Sequence, residues 1–170
     1  MANKRIFLVI LALFIPMVVA LSVLDTGLRN SVTPLGIVSF ELCGFSRNCE
    51  AALEAWNGHQ KNIVMLIQGL DYLFLILYPA LIAICIQSLG ARAFEWQTIN
   101  KPAVAVCMAM AAADAIENYA LIQIVLNDSV GVYGVVASSF ASIKFTFVAA
   151  GIFWIIALCI VLAMRKRRTQ

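Results

Sequence analysis

Charged residues are scarce in this sequence: they occupy 12% of its 170 positions, whereas hydrophobic residues occupy 63%. Soluble domains carry about 25% charged residues, so this chain has too few to cover a water-facing surface. The same composition excludes a disordered chain, and a net charge of only +3 argues against nucleic acid as a partner. The sequence therefore predicts an integral membrane protein whose residues 1–170 form a single membrane domain.

Histidine is almost absent as well, since His59 is its only occurrence. A zinc-type metal site therefore has almost no support, and the serines inside the apolar stretches lack the histidine partner that a serine hydrolase needs. No phosphate-binding glycine loop or zinc-protease motif occurs. We accordingly expect no cofactor and no metal.

Four apolar stretches are long enough to cross a hydrocarbon core, which takes about 20 residues in a helix. The alternating pattern of a membrane β-strand is absent, so helices are the only spanning structure that satisfies the backbone. The predicted fold class is all-α, an integral membrane four-helix bundle with one long outer loop at 25–61. The spans are Ile6–Leu24, Asn62–Leu89, Pro102–Leu126 and Ser138–Met164.

The distribution of Lys and Arg predicts the orientation of the chain, because these residues gather in cytosolic segments. Eight of them lie on the side of the N-terminus with one acid, Glu95, whereas the other side holds three with five acids. Both termini are therefore expected in the cytosol, with the protein in the plasma (inner) membrane. The basic run Arg165–Arg168 would stop transfer and contact anionic lipid headgroups.

The first span has an alternative interpretation as a cleaved signal peptide. Lys4 and Arg5 form a basic start, an apolar run follows, and Ala20-Leu21-Ser22 resembles a small-x-small cleavage site. The length of the apolar run favours a retained span. The later spans keep the same orientation in both cases.

The outer loop is too apolar for a plain linker, especially over Pro34–Leu42. A second segment, Cys49–Trp56, is predicted as a short helix capped by Asn48. The loop would either fold back as a lid over the outer end of the bundle or lie along the lipid interface.

Two of the five cysteines, Cys43 and Cys49, lie in this outer loop. An oxidising exterior would join them in a short disulfide-closed loop that staples the segment. The other three, Cys85, Cys107 and Cys159, lie inside spans, where a thiol behaves as a small hydrophobic side chain.

Four ionisable residues lie inside the predicted spans, although each costs about 2.5–3.5 kcal/mol on insertion scales. Helical spacing places them on common faces with a few polar neighbours. The candidate site consists of Gln68, Asp71 and Tyr72 in the second span, Asp114, Glu117 and Asn118 in the third, and Lys144 in the fourth.

The depths of these residues agree. Asp71 and Glu117 each lie about ten residues, or about 15 Å, from the outer ends of their helices. Lys144 lies about six residues below the outer end of the fourth span, and its stem can reach further in. We therefore expect Asp71, Glu117 and Lys144 to meet in the outer half of the membrane.

Three acids facing one lysine leave a nominal excess of two negative charges. Such a group must protonate, bind a cation or contact water in a cavity, whereas a simple acid–lysine pair could only lock helices together. The first hypothesis is an outward-facing intramembrane polar pocket that binds or transports a small or amphipathic molecule. Two alternatives remain. One is a membrane-embedded enzyme that uses Glu117 or Asp71 as acid/base on a lipid-like substrate, and the other is an accessory subunit in a homo- or hetero-oligomer.

Overall fold

Runs of Leu, Ile, Val and Ala dominate this chain, and in an apolar environment such runs satisfy their backbone hydrogen bonds only within a helix. The computed structural model describes residues 2–93, 100–127 and 130–168, and within these ranges it is all-helical, with no strand. Glu95 and Asp128, which the orientation argument used, lie outside the described residues. The helices are α1 Ala2–Thr26, α2 Ile37–Glu41, α3 Cys43–Ser46, α4 Cys49–Ala55, α5 Gly58–Ala93, α6 Asn100–Asn127 and α7 Gly131–Arg168.

Within the described residues, α1, α5, α6 and α7 are long and apolar enough to cross a membrane. These helices correspond to the four predicted spans but extend beyond them. α5 is longer than the predicted span by four residues at each end. The sequence predicts a short outer turn at Gly131–Gly134 between the third and fourth spans, but in the structure this segment is the first turn of α7. Gly134 in this turn lies close to the backbone of Gly44 in α3.

α5 is the element on which the other long helices assemble, since it packs against α1, α6 and α7, while α6 also packs against α7. Phe14 of α1 stacks on Phe74 of α5 with 5.3 Å between ring centroids. Many other apolar side chains of α1 are exposed, as expected for side chains that face lipid. A core away from the loop contains Leu75, Tyr78, Ile82 and Ile86 of α5, Cys107 and Met110 of α6 and Leu158 of α7.

The segment α2–α4 folds against one end of α5, α6 and α7, which we call the loop end. The indole Nε1 of Trp56 donates to the carbonyl of Leu28 at 2.9 Å, and the ring of Phe40 meets that of Trp56 edge-on at 5.2 Å. This packing favours a lid over a loop that lies along the lipid interface, and we call the segment α2–α4 the lid from here on. The buried core of the loop end includes Leu28, Phe40, Leu53 and Trp56 together with Val64, Ile67, Leu121, Ile124 and Ala137.

Asp25 holds the start of α2. Its Oδ1 accepts the backbone N–H of Ile37 at 2.6 Å, and its Oδ2 accepts Nε of Arg29 at 2.9 Å. Gly36, just before α2, has φ of 60°, a conformation that side chains rarely adopt, and a Cβ there would overlap the Asp25 carboxylate. The turn into α2 therefore depends on this glycine and this acid.

The Cys43 and Cys49 sulfurs lie at disulfide distance, with their Cα atoms 4.8 Å apart, as the prediction for this loop expects. Asn48 does occupy the position before α4, but its side chain does not cap the helix. Its Oδ1 instead accepts the hydroxyl of Ser46 at 2.5 Å. The predicted side-chain cap was wrong because the short loop between α3 and α4 offers a closer donor.

The lid touches α7 through backbone atoms. The N–H of Gly44 donates to Oγ of Ser138 at 2.9 Å, and that hydroxyl donates to the carbonyl of Glu41 at 2.9 Å. A Cβ at Gly44 would overlap the carbonyl of Gly134 in the first turn of α7. The contact therefore needs glycine at position 44 and serine at position 138.

Substituting Gly44→Ala should lower the free energy of unfolding by about 1–3 kcal/mol, because the added methyl group forces the lid away from α7. Gly69→Ala is the matched control, since a Cβ there meets no atom within 4 Å. That variant should be neutral or slightly more stable, because Ala is the better helix former. Thermal unfolding in detergent measures both, and equal stability of the two variants would contradict the close contact.

Mass-spectrometric counting of alkylated cysteines tests the bridge. Protein purified without reductant and then denatured should expose three thiols, those of Cys85, Cys107 and Cys159. Reduction before alkylation should raise the number to all five cysteines of the sequence. Five alkylated cysteines in the unreduced sample would show that Cys43 and Cys49 are not joined.

Candidate functional site

Lys144 of α7 is buried near the loop end, where three carboxylates surround it. Its Nζ lies 2.8 Å from Oε2 of Glu117 and 3.1 Å from Oδ1 of Asp114, both on α6. The third is Oε1 of Glu41, the last residue of α2, at 3.5 Å. One cation therefore joins the lid to two long helices.

Local structure explains how these carboxylates reach one nitrogen. Asp114 and Glu117 are three residues apart on α6, so the helix places both on the face toward α7. Glu41 comes from the lid, at the end of α2. Its backbone carbonyl is fixed to α7 by Ser138, six residues before Lys144 on the same helix.

Asp71 of α5 joins this group through Asn118. The amide Nδ2 of Asn118 donates to Oδ2 of Asp71 at 2.9 Å, and Asn118 directly follows Glu117. Asp71 and Lys144 also line the same cavity. The structure thus brings Asp71, Glu117 and Lys144 into one connected group.

The group contains more negative than positive charge. Lys144 is the single cation of the group, whereas four carboxylates belong to it, which leaves a nominal excess of three negative charges. They are those of Glu41, Asp71, Asp114 and Glu117. Burial raises the pKa of Glu41 above its ordinary value, although Lys144 opposes this shift. The described residues contain no set of three or more His, Cys, Asp or Glu side chains that could hold a metal ion.

A cavity of about 420 Å³ lies between α1, α5 and α7, with the charged group at one end. Its polar end is formed by Glu41, Asp71, Asp114 and Lys144. Near the other end, Ile152 is 49% exposed and so lies at the outer surface of α7. The remaining wall is aromatic and aliphatic: Phe14, Val38, Phe74, Tyr78, Leu81, Ile82, Phe145, Val148 and Ile152.

The seven predicted site residues therefore occupy four kinds of place. Asp71, Asp114 and Lys144 line the cavity, whereas Glu117 and Asn118 contact them from α6 without lining it. Gln68 is buried but lies outside the cavity wall. Tyr72 is 39% exposed, and its hydroxyl donates to the carbonyl of Ala115 at 3.4 Å, so it belongs to the contact between α5 and α6.

Sequence reasoning missed Glu41, which it counted among the acids of the outer loop. One signal was available, because Glu41 is the only charged residue in the apolar segment Pro34–Leu42. An acid in a segment that folds onto a membrane helix needs a buried partner, and Lys144 was the nearest candidate by depth.

Comparison with known proteins adds no family to this description. The chain matches no protein-family model, no curated protein and no solved structure. The chemistry of the site must therefore be read from its geometry. That geometry is an amphipathic cavity with hydrogen-bonding and charged groups at one end and hydrocarbon contacts along the rest.

Substituting Lys144→Met should lower the free energy of unfolding by about 3–5 kcal/mol, because three buried carboxylates lose their common cation. Glu117→Gln should have a mild effect, since Asp114 and Glu41 still pair with Lys144. Arg29→Met removes a cation whose side chain is 55% exposed, and Asp25 keeps its hydrogen bond from the backbone of Ile37, so this change should cost about 1 kcal/mol. Thermal unfolding in detergent compares the three variants. A Lys144→Met protein as stable as the Arg29→Met protein would contradict the buried pairing.

Proposed function

We propose that this protein is a small membrane protein that binds an amphipathic molecule in the cavity between α1, α5 and α7. The polar group of the ligand would lie against Glu41, Asp71 and Asp114, and its apolar part would lie along α5 and α7. The observation that carries this proposal is the cavity itself, in which one charged end continues into a hydrocarbon wall.

The dimensions and surface of the cavity support a ligand of this type. Small-molecule sites in proteins commonly measure about 300–1,000 Å³ and combine apolar walls with a few placed polar groups. Here three helices contribute aromatic rings to the wall: Phe14 of α1, Phe74 of α5 and Phe145 of α7. A fully water-soluble ligand would leave these rings without a partner.

The membrane arrangement that goes with this function is a four-helix bundle of α1, α5, α6 and α7 with both termini in the cytosol. The excess of Lys and Arg on the side of the N-terminus supports this orientation. The lid and the charged group then belong to the outer half of a plasma (inner) membrane. Arg165–Arg168 would lie in the cytosolic headgroup region, next to anionic lipid.

The cavity wall also bears on the two alternative functions. Among the described residues, the wall contains no Ser, Thr, Cys or His, so an enzyme at this site would have only carboxylates, a tyrosine and an ion-paired lysine. An accessory subunit would use an exposed helix face for a partner, but it would not need a cavity with a charged end. Ligand binding is therefore the function that the geometry supports best.

Protein in phosphatidylcholine nanodiscs can be titrated with four probes that share one dodecyl chain: dodecyltrimethylammonium, dodecylphosphocholine, dodecanol and dodecanoate. At least one probe should raise the unfolding temperature, because a ligand that binds only the folded state stabilises it. Val148→Trp, which fills the cavity, should abolish this shift.

Ile156→Trp is the matched control, because Ile156 lies on the same helix, is 52% exposed and does not line the cavity. This variant should respond to the probes as the unmodified protein does. The proposal is wrong if no probe stabilises the protein, or if Val148→Trp and Ile156→Trp respond equally.

A further inference from the structure

We infer that the ligand of this cavity carries a positively charged head group, so that the site selects amphipathic cations such as long-chain amines. This inference rests on the proposed function and names the chemical class of its ligand. Three features carry it: the balance of charge around Lys144, an unpaired oxygen of Glu41, and the absence of a metal-binding geometry among the described residues.

The charge balance is the first feature. Lys144 neutralises at most one of the four carboxylates, and the remaining charge sits where burial makes an unpaired carboxylate costly. Asp71, Asp114 and Glu41 all line the cavity. Lys144 lines the same end but is already paired with three carboxylates. An added cation would therefore lie against the remaining negative charge, whereas an added anion would meet net repulsion.

Glu41 is the second feature, and it gives the position. Its residue exposure is only 7%, and it lines the cavity. While Oε1 faces Lys144, Oε2 has no hydrogen-bond partner among the described residues. A buried carboxylate oxygen without a donor is rare, and a cationic head group at the polar end of the cavity would offset its negative charge.

The third feature separates an organic cation from a metal ion. Metal ions need several oxygen or nitrogen ligands converging at about 2.0–2.6 Å, and no such set exists in the described part of the chain. Three of the carboxylates instead converge on the ammonium group of Lys144, at one end of an apolar cavity. This arrangement suits a diffuse positive charge attached to a hydrocarbon chain.

Proton uptake by the carboxylates is the competing way to remove the excess charge. Protonated Glu41 and Asp71 would favour a neutral, hydrogen-bonding head group over a cationic one. The two possibilities therefore differ in the rank order of the four dodecyl probes. Dodecylphosphocholine carries the same trimethylammonium group as the cationic probe, but next to a phosphate. Comparing the two probes therefore distinguishes a site for amphipathic amines from a site for zwitterionic lipid head groups.

Affinities of the four probes for protein in nanodiscs, measured at pH 7.5 by the shift of the unfolding temperature, test this inference. We expect dodecyltrimethylammonium to bind at least about tenfold more tightly than dodecanol, and dodecanoate to bind least. If dodecylphosphocholine equals the cationic probe, the site takes a zwitterionic lipid head group, and the inference of a net cationic ligand is overturned.

Glu41→Gln should reduce the preference for dodecyltrimethylammonium over dodecanol while leaving the affinity for dodecanol unchanged. Asp71→Asn provides a second variant in case Glu41→Gln destabilises the lid. Glu54→Gln is the control, since it removes one acid from an exposed position of α4 and should leave the preference intact. An equal loss in Glu54→Gln would assign the preference to general surface charge.

The two proposals fail in different ways. If no probe binds in the cavity, the proposed function itself is wrong. If dodecanol binds as tightly as the cationic probe and Val148→Trp blocks both, the cavity binds amphipathic molecules but does not select cations.

Discussion

A buried positive charge at Lys144 is the constraint on which the arrangement of this protein depends. A buried ammonium group is stable only with anionic partners, and those partners come from α6 and from the lid rather than from α7 itself. Glu41 belongs to α2, whereas Asp114 and Glu117 belong to α6. Their pairing with Lys144 therefore specifies how α2, α6 and α7 meet. Apolar packing alone would allow these surfaces to slide, since lipid chains and Leu side chains are chemically alike.

The lid is positioned by several weak contacts that together bring Glu41 to Lys144. The sulfurs of Cys43 and Cys49 close the loop next to Glu41, and Ser138 holds the backbone of Glu41 and Gly44 against α7. Small residues at positions 44 and 134 allow the two backbones to approach. The charge of the site therefore depends on the position of the lid, because moving the lid would also remove the Glu41 carboxylate from Lys144.

The cavity arises because α1 contacts α5 through Phe14 and Phe74 while the charged group occupies the space toward the loop end. Its apolar wall belongs to the same surfaces that would otherwise meet lipid. A single space thus joins a region of excess negative charge to hydrocarbon contacts. This combination of negative charge and hydrocarbon contacts, rather than any single residue, makes the site amphipathic.

The sequence by itself determined the class of protein, the four long apolar helices and most of the charged group. Hydrophobic length sets the spans, and the 3.6-residue period places Asp114 and Glu117 on one face of α6, so neither needs tertiary information. Matched depth was enough to predict that Asp71, Glu117 and Lys144 would meet. Only the tertiary structure decided that Glu41 completes the group, that Tyr72 and Gln68 lie outside the cavity, and that α7 begins at Gly131. Each of these outcomes depends on how the lid lies across the helix ends, and that placement follows from contacts between residues about 90 positions apart, such as Gly44 with Ser138, which no local pattern encodes.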